Sequence, residues 1–182
     1  MLIIHGSHRH GHSWEIASSL STQLISHDID VSIIDLSVAD INCCCGLQVC
    51  QEAECIYKQD DFSEKYKDLI IKADGIFIIT PTYFNMPPAK LKNFIDRTNA
   101  LLPLLENNEK HPFFGAYICG EADYESINCN LNLLKEYAAI MGWNNVEQLN
   151  ITEYLVDTAE INNDKIKNIS DLIIKELQLE GE

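Results

Sequence analysis

Arginine is nearly missing from this chain: Arg9 and Arg97 are the only two among 182 residues. Lysine adds little, since 13 basic residues stand against 28 acidic ones and the formal net charge is -15. With no basic patch visible, a nucleic-acid backbone would be repelled, and no nucleic-acid partner is expected. Long apolar runs are lacking too. No stretch reaches the ~18 residues that a membrane helix needs. The opening MLIIHGSH has neither the basic leader nor the apolar length of a signal peptide. No membrane partner is expected, and the expected location is cytoplasmic. With 8 glycines and 5 prolines the composition is neither collagen-like nor disordered. No repeat or linker interrupts it, so residues 1–182 are expected to form a single domain.

What is present alternates. MLIIH reads as a strand, and residues 13–26 as a helix with Ile16, Leu20 and Leu24 on one face. Strands follow at 30–36, 75–80, 113–119 and 145–151, separated by helices at 60–72, 89–101 and 125–141. Gly142 sits where a helix C-cap glycine belongs, and a last helix spans 161–178. Five short strands alternating with helices predict an α/β three-layer sandwich, a five-stranded parallel sheet with helices on both faces. The commonest order for five such strands is 2-1-3-4-5. Ligands bind such sheets at the switch point, outside the carboxyl ends of strands one and three. Residues 6–13 and 81–88 are the loops there.

The first loop, GSHRHGHS, nearly spells the triphosphate loop G-x-x-x-x-G-K-[ST], with His12 in place of the lysine. A helix N-terminus offers unpaired N–H groups and a positive dipole end. Gly6 permits a sharp turn and Gly11 a close approach of backbone to ligand. Ser7 and Ser13 add hydroxyls, and Arg9 adds a charged fork. A monophosphate site is the favoured reading. A triphosphate site lacks its lysine, although Asp35 stands where a Walker-B acid could. A metal site would use His5, His8, His10 and His12 but has no local carboxylate. The plainest alternative is a polar turn with a serine cap.

The second loop, TPTYFNMPPAKLKNFIDR (80–97), is stiffened by Pro81, Pro87 and Pro88. Tyr83, Phe84 and Met86 offer flat or soft apolar surface, and Thr82 and Asn85 offer polar contacts. The combination suits a planar, hydrogen-bonding ring system.

GSHRHGHS after strand one and TPTYFNMPPAKLKNFIDR after strand three resemble the signatures of NADPH-dependent FMN reductases. These belong to the flavodoxin-like superfamily, with the iron-sulfur flavoproteins as the nearer group. The resemblance runs in order and spacing to about residue 120. It implies the flavodoxin-like 2-1-3-4-5 fold, bound FMN, NAD(P)H as co-substrate, and a quinone, flavin or other small-molecule electron acceptor. It also implies a homodimer or homotetramer. Ser7, Arg9, Gly11, His12 and Ser13 match the phosphate-binding loop. Pro81, Thr82, Tyr83, Phe84, Asn85 and Met86 match the loop bordering the isoalloxazine ring. Lys90, Lys92 and the pair Asp96-Arg97 match the following helix, where the pair is structural. CGEADYES matches a third flavin-side loop, of whose glycine-rich stretch only Gly120 is present. The flavin carries the chemistry, so no catalytic side chain is assigned. The alternative is a flavodoxin-like electron carrier whose acidic surface docks a basic redox partner.

Five of the seven cysteines crowd into INCCCGLQVCQEAEC, after the second strand. The resemblance places here a C-x2-C-x2-C-x4–7-C frame for a [4Fe–4S] cluster. Cys44, Cys50 and Cys55 fit, but Leu47 takes the second ligand's place, and leucine cannot ligate iron. No metal ligand is therefore assigned, with zinc a lesser alternative. The favoured reading is a loop whose cysteines pack as small hydrophobes or shape a dimer surface. KQDD (58–61), also matching the family, marks entry to the next helix.

Overall fold

A computed structural model of the chain describes residues 1–47, 50, 55–105, 110–120, 124–154 and 162–179. The strands are β1 (Leu2–His5), β2 (Ser32–Asp35), β3 (Gly75–Pro81), β4 (Phe113–Gly120) and β5 (Asn144–Tyr154). They form one parallel sheet in the order β2-β1-β3-β4-β5, the order expected. The helices are α1 (His12–Ser26), α2 (Lys67–Lys72), α3 (Ala89–Thr98), α4 (Leu102–Leu105), α5 (Tyr124–Ile140) and α6 (Asn163–Leu179). A π-helical turn, Phe62–Tyr66, leads into α2.

Strand side chains alternate between two cores, as a period of two requires. Leu2, Ile4, Ile76, Ile78, Phe114, Ala116 and Ile118 face one core, which α2, α3 and α5 complete with Ile70, Leu91, Phe94 and Leu134. Ile3, Phe77, Ile79 and Tyr117 face the other, closed by Leu20 and Leu24 of α1 and Ile169 and Ile173 of α6. The inner strands are buried on both faces, which is why they read as continuous apolar runs.

Several boundaries differ from expectation: the strand expected over 30–36 covers only Ser32–Asp35, and the helix expected over 60–72 opens at Phe62 as the π-helical turn. The helix expected over 89–101 stops at Thr98 and continues as a 3₁₀ turn, Asn99–Leu101. Leu102 returns to α geometry and opens α4, with Pro103 in its first turn, where a missing N–H is tolerated. More consequentially, β5 runs to Tyr154 rather than 151. Its pairing with β4 slips between Phe114 and Ala116, where Asn145 and Asn150 are the successive partners. Gly115 permits this, since a Cβ there would lie 2.5 Å from Leu149 Cβ. Beyond the slip, β5 pairs again as far as Glu153 and Tyr154, opposite Cys119 and Gly120. At the other end of the expected helix over 125–141, Gly142 has φ 72° and lets Trp143 N–H reach the Ala138 carbonyl at 2.9 Å.

Candidate functional site

The carboxyl ends of β1, β3 and β4 open into a cleft of about 250 Å³. Ser7, Arg9, Gly11, His12 and Ser13 line one wall, and Pro81, Thr82, Tyr83 and Gly120 line the other. The structure thus brings the two sequence-selected loops together, Ser7 and Tyr83 being 76 residues apart in the chain. Phe84, Asn85 and Met86 do not line the cleft: they stand on its rim, with Phe84 wholly exposed.

Gly6 continues β1 by donating its N–H to the Ile79 carbonyl at 2.8 Å. A Cβ at Gly6 would lie 2.9 Å from both Leu91 Cδ2 and Thr80 Oγ1, so glycine is needed for this close approach. Gly11 is the N-cap of α1 and makes no side-chain cap. A Cβ there would meet nothing within 4 Å. Trp14 and Glu15 N–H donate to the Gly11 carbonyl at 2.9 and 3.1 Å, which leaves the N–H groups of the cleft-lining His12 and Ser13 without an intrahelical acceptor. Ser7 Oγ lies 3.1 Å from the Tyr83 hydroxyl, linking the two walls. His8 stacks on the Tyr83 ring.

The rim is a tight two-residue turn. Tyr83 and Met86 exchange both backbone hydrogen bonds, 2.9 and 3.0 Å, and Phe84 and Asn85 take φ of 51° and 61°. Positive φ at an aromatic residue is costly and recurs where loops serve a ligand. Asn130 of α5, buried, anchors the turn by donating to the Asn85 carbonyl at 3.3 Å and to Thr82 Oγ1 at 3.4 Å.

The histidines are not arranged as a metal set. His5 Nδ1 lies 2.9 Å from Asp35 Oδ1, and its Nε2 lies 3.1 Å from Ser13 Oγ. His10 reaches Asp35 Oδ2 at 2.5 Å and stacks on Trp14. His12 instead turns to Glu153 Oε2 at 3.0 Å. Asp35, which a triphosphate loop would need for its metal, is occupied by both histidines and the Ser37 amide. Glu153 also accepts from the Tyr117 hydroxyl at 2.5 Å and from Lys165 at 3.2 Å. Burial and the Glu153 charge push the Cys119 thiol up to about 12, so this cleft-lining cysteine is a neutral thiol.

Of the pair Asp96-Arg97, only Arg97 is structural; Asp96 is partly exposed and bridges Lys92 at 2.6 Å. Arg97 pairs with Asp60 of KQDD, both side chains being buried, and donates to the Asn42 carbonyl at 2.9 Å. Asp60 in turn accepts the Ser63 and Asn42 amides at 3.0 Å. The pair binds α3 to the base of the cysteine loop. In that loop Cys43, Cys44 and Cys45 are exposed, as is Leu47. Among the described residues, no three His, Cys, Asp or Glu side chains are placed to hold a metal ion. Residues 48, 49 and 51–54 of that loop, and 121–123 of the third flavin-side loop, lie outside the described residues.

Residues 1–154 match the family model for NADPH-dependent FMN reductases. The chain belongs to that family. Its members are FMN oxidoreductases, and the 2-1-3-4-5 sheet is the flavodoxin-like fold. An iron-sulfur flavoprotein of Archaeoglobus fulgidus is 25% identical over 96 residues, which is 52% of this chain and 43% of that protein. An iron-sulfur flavoprotein of Clostridioides difficile is 31% identical over 78 residues, 43% of this chain and 35% of that protein. The chain thus matches less than half the length of each. The structure of a WrbA-like flavodoxin from Agrobacterium tumefaciens superposes with a TM-score of 0.66 at 14% identity, covering 98% of this chain and 94% of the other. At that identity the likeness is one of fold.

Glu153, Tyr117, Cys119 and Asn130 were not selected from sequence. Cys119 ends an apolar strand and reads as core, which it also is. Asn130 lies within an amphipathic helix, and Glu153 lies beyond the expected end of its strand; neither had a motif to mark it.

Proposed function

We propose that this member of the FMN reductase family is an NAD(P)H-dependent oxidoreductase that passes electrons through bound FMN to a small-molecule acceptor such as a quinone or a flavin. It would act in the cytoplasm as a homodimer or homotetramer, each chain being one FMN-binding domain. The observation that carries the reading is the meeting, at the switch point, of a lysine-free helix N-terminus with the stiff Pro81–Met86 loop.

The donor set fits an FMN phosphate. Ser7, Arg9, Ser13 and the unpaired amides at the start of α1 are all donors. The carboxylate of Glu153 is engaged by three other partners rather than aimed at an anion. Gly6 keeps the loop against β3, and Gly11 leaves open space where a ligand would come close. A cleft of about 250 Å³ is below the ~300–1,000 Å³ that encloses a whole drug-sized ligand. The rim residues Phe84 and Met86 would then border a ring held at the surface. Bound FMN supplies two-electron redox chemistry; the side chains supply position and electrostatics, and none is required as acid or base.

Anaerobic addition of NADPH or NADH to the FMN-loaded protein tests this. Loss of the visible flavin absorbance at about one equivalent of nicotinamide supports the enzyme. A flavin that either nicotinamide leaves oxidised, but dithionite bleaches, assigns the chain to electron carriage instead.

A further inference from the structure

Beneath the first loop lies an acid–imidazole–hydroxyl chain: Asp35 Oδ1 to His5 Nδ1 at 2.9 Å, and His5 Nε2 to Ser13 Oγ at 3.1 Å. His5 has no exposed surface, and Ser13 is 4% exposed while lining the cleft. Burial pushes Asp35 up, but hydrogen bonds from His10, His5 and Ser37 outweigh it and hold the carboxyl at about 2. Asp35 is therefore ionised at neutral pH and only accepts. His5 Nδ1 must carry a hydrogen. Burial pushes His5 down, against the pull of Asp35, so the ring is neutral and Nε2 is a bare acceptor. The Ser13 hydroxyl then donates to it.

Among the described residues, the titratable neighbours that act on His5 are Asp35 and His10. Asp35 faces His5 from β2, and the His10 ring lies 6.0 Å away in the loop. From α1 come Ser13 and the Trp14 indole at 5.2 Å, and β3 presents its apolar partner Ile79. Tyr66, on the π-helical turn, is close enough to feel the Asp35 charge.

Ser13 has one proton to give. A phosphate oxygen at the start of α1 would compete for it with His5 Nε2. Once Ser13 turns to the phosphate, Nε2 is left buried with no donor, a state that proteins avoid. One proton taken from solvent resolves it: His5 then donates to both Asp35 and Ser13 Oγ, and no covalent bond to carbon or oxygen changes. We propose that His5 takes up a proton when the FMN phosphate binds at Ser13, giving the site a second, buried positive charge beside Arg9. The proposal rests on the reading that FMN occupies this cleft. His5 acts through Ser13 and is a positioning residue.

Isothermal calorimetry of the full chain with FMN, in two buffers of different ionisation enthalpy, counts the protons. At about pH 7.5 a phosphate monoester is already mostly dianionic and contributes little itself. The expected uptake is about one proton per FMN bound by the unaltered protein, near zero for His5→Gln, and retained by His27→Gln, at the far end of α1 from the cleft. FMN binding without proton uptake, or an uptake that persists in His5→Gln, overturns the proposal while leaving the FMN reading intact. Should His5→Gln not fold, the imidazole ¹⁵N spectrum of the unaltered protein decides. FMN must move one ring from the neutral to the imidazolium pattern, and no change contradicts the proposal. Failure of FMN to bind at any pH removes both readings together.

Discussion

His12 Nε2 donates to Glu153 Oε2 across 3.0 Å, joining the first turn of α1 to the last residues of β5. The Tyr117 hydroxyl shares that oxygen at 2.5 Å, and Lys165 holds the other at 3.2 Å. Burial would push Glu153 up, but Tyr117, His12 and Lys165 outweigh it and lower the carboxyl. Burial and this same carboxylate push Tyr117 far up, so it stays a donor. Glu153→Ala would leave a buried phenol without its acceptor. We expect a loss of about 1–3 kcal/mol in urea unfolding, and a smaller one for Glu153→Gln, which keeps an acceptor oxygen.

The Arg97–Asp60 pair predicts both a mutational and a pH effect. Arg97→Ala strands a buried carboxylate and should cost about 3–5 kcal/mol in equilibrium unfolding. Burial would raise Asp60, but Arg97 and the Ser63 and Asn42 amides hold it at about 2. A carboxyl lowered on folding contributes its full stability above its unfolded value of about 3.9 and loses it as pH falls towards the folded value. Asp35, also at about 2, acts in the same direction. Urea midpoints should therefore decline between about pH 4 and 2, and decline less steeply in Arg97→Ala.

The two loop glycines should behave differently. Gly6→Ala forces a Cβ into Leu91 and Thr80 and should cost about 1–3 kcal/mol. Gly11→Ser meets nothing, at a φ of −147° that any residue adopts. Its hydroxyl can cap the amides of α1, so thermal stability should hold or rise slightly. The same capping competes with a phosphate for those donors, and FMN affinity should fall by about tenfold. Parallel melting and fluorescence titrations check the pair.

Phe84 pays for its left-handed backbone with no packing in return, being wholly exposed. Phe84→Gly should leave fold stability unchanged or raise it by up to about 1 kcal/mol in urea unfolding.

Most of the fold was legible because the inner strands are buried on both faces and the apolar runs of β1 and β4 end at glycines. Gly6 and Gly120 are such ends. The edge strand β5 was read short for a physical reason. One side of it faces solvent, its middle slips in register, and ITEY carries little apolar pattern. Glu153 therefore stayed hidden, and with it the partner of His12. The π-helical turn Phe62–Tyr66 left no mark either, because Phe62, Tyr66, Leu69 and Ile70 fit an ordinary helix face equally well. The cleft walls were legible from motif chemistry, whereas the supports behind them are long-range pairs that a linear reading does not reveal. Asn130 beneath the rim turn and His5 beneath Ser13 are two of these.

The most direct test is a titration of the purified chain with FMN and with riboflavin, followed by quenching of flavin fluorescence. Saturation at about one FMN per chain, with riboflavin bound at least about tenfold more weakly for want of the phosphate, is the predicted result. Equal affinity for the two flavins, or no quenching by either, would contradict a phosphate-anchored FMN at the start of α1.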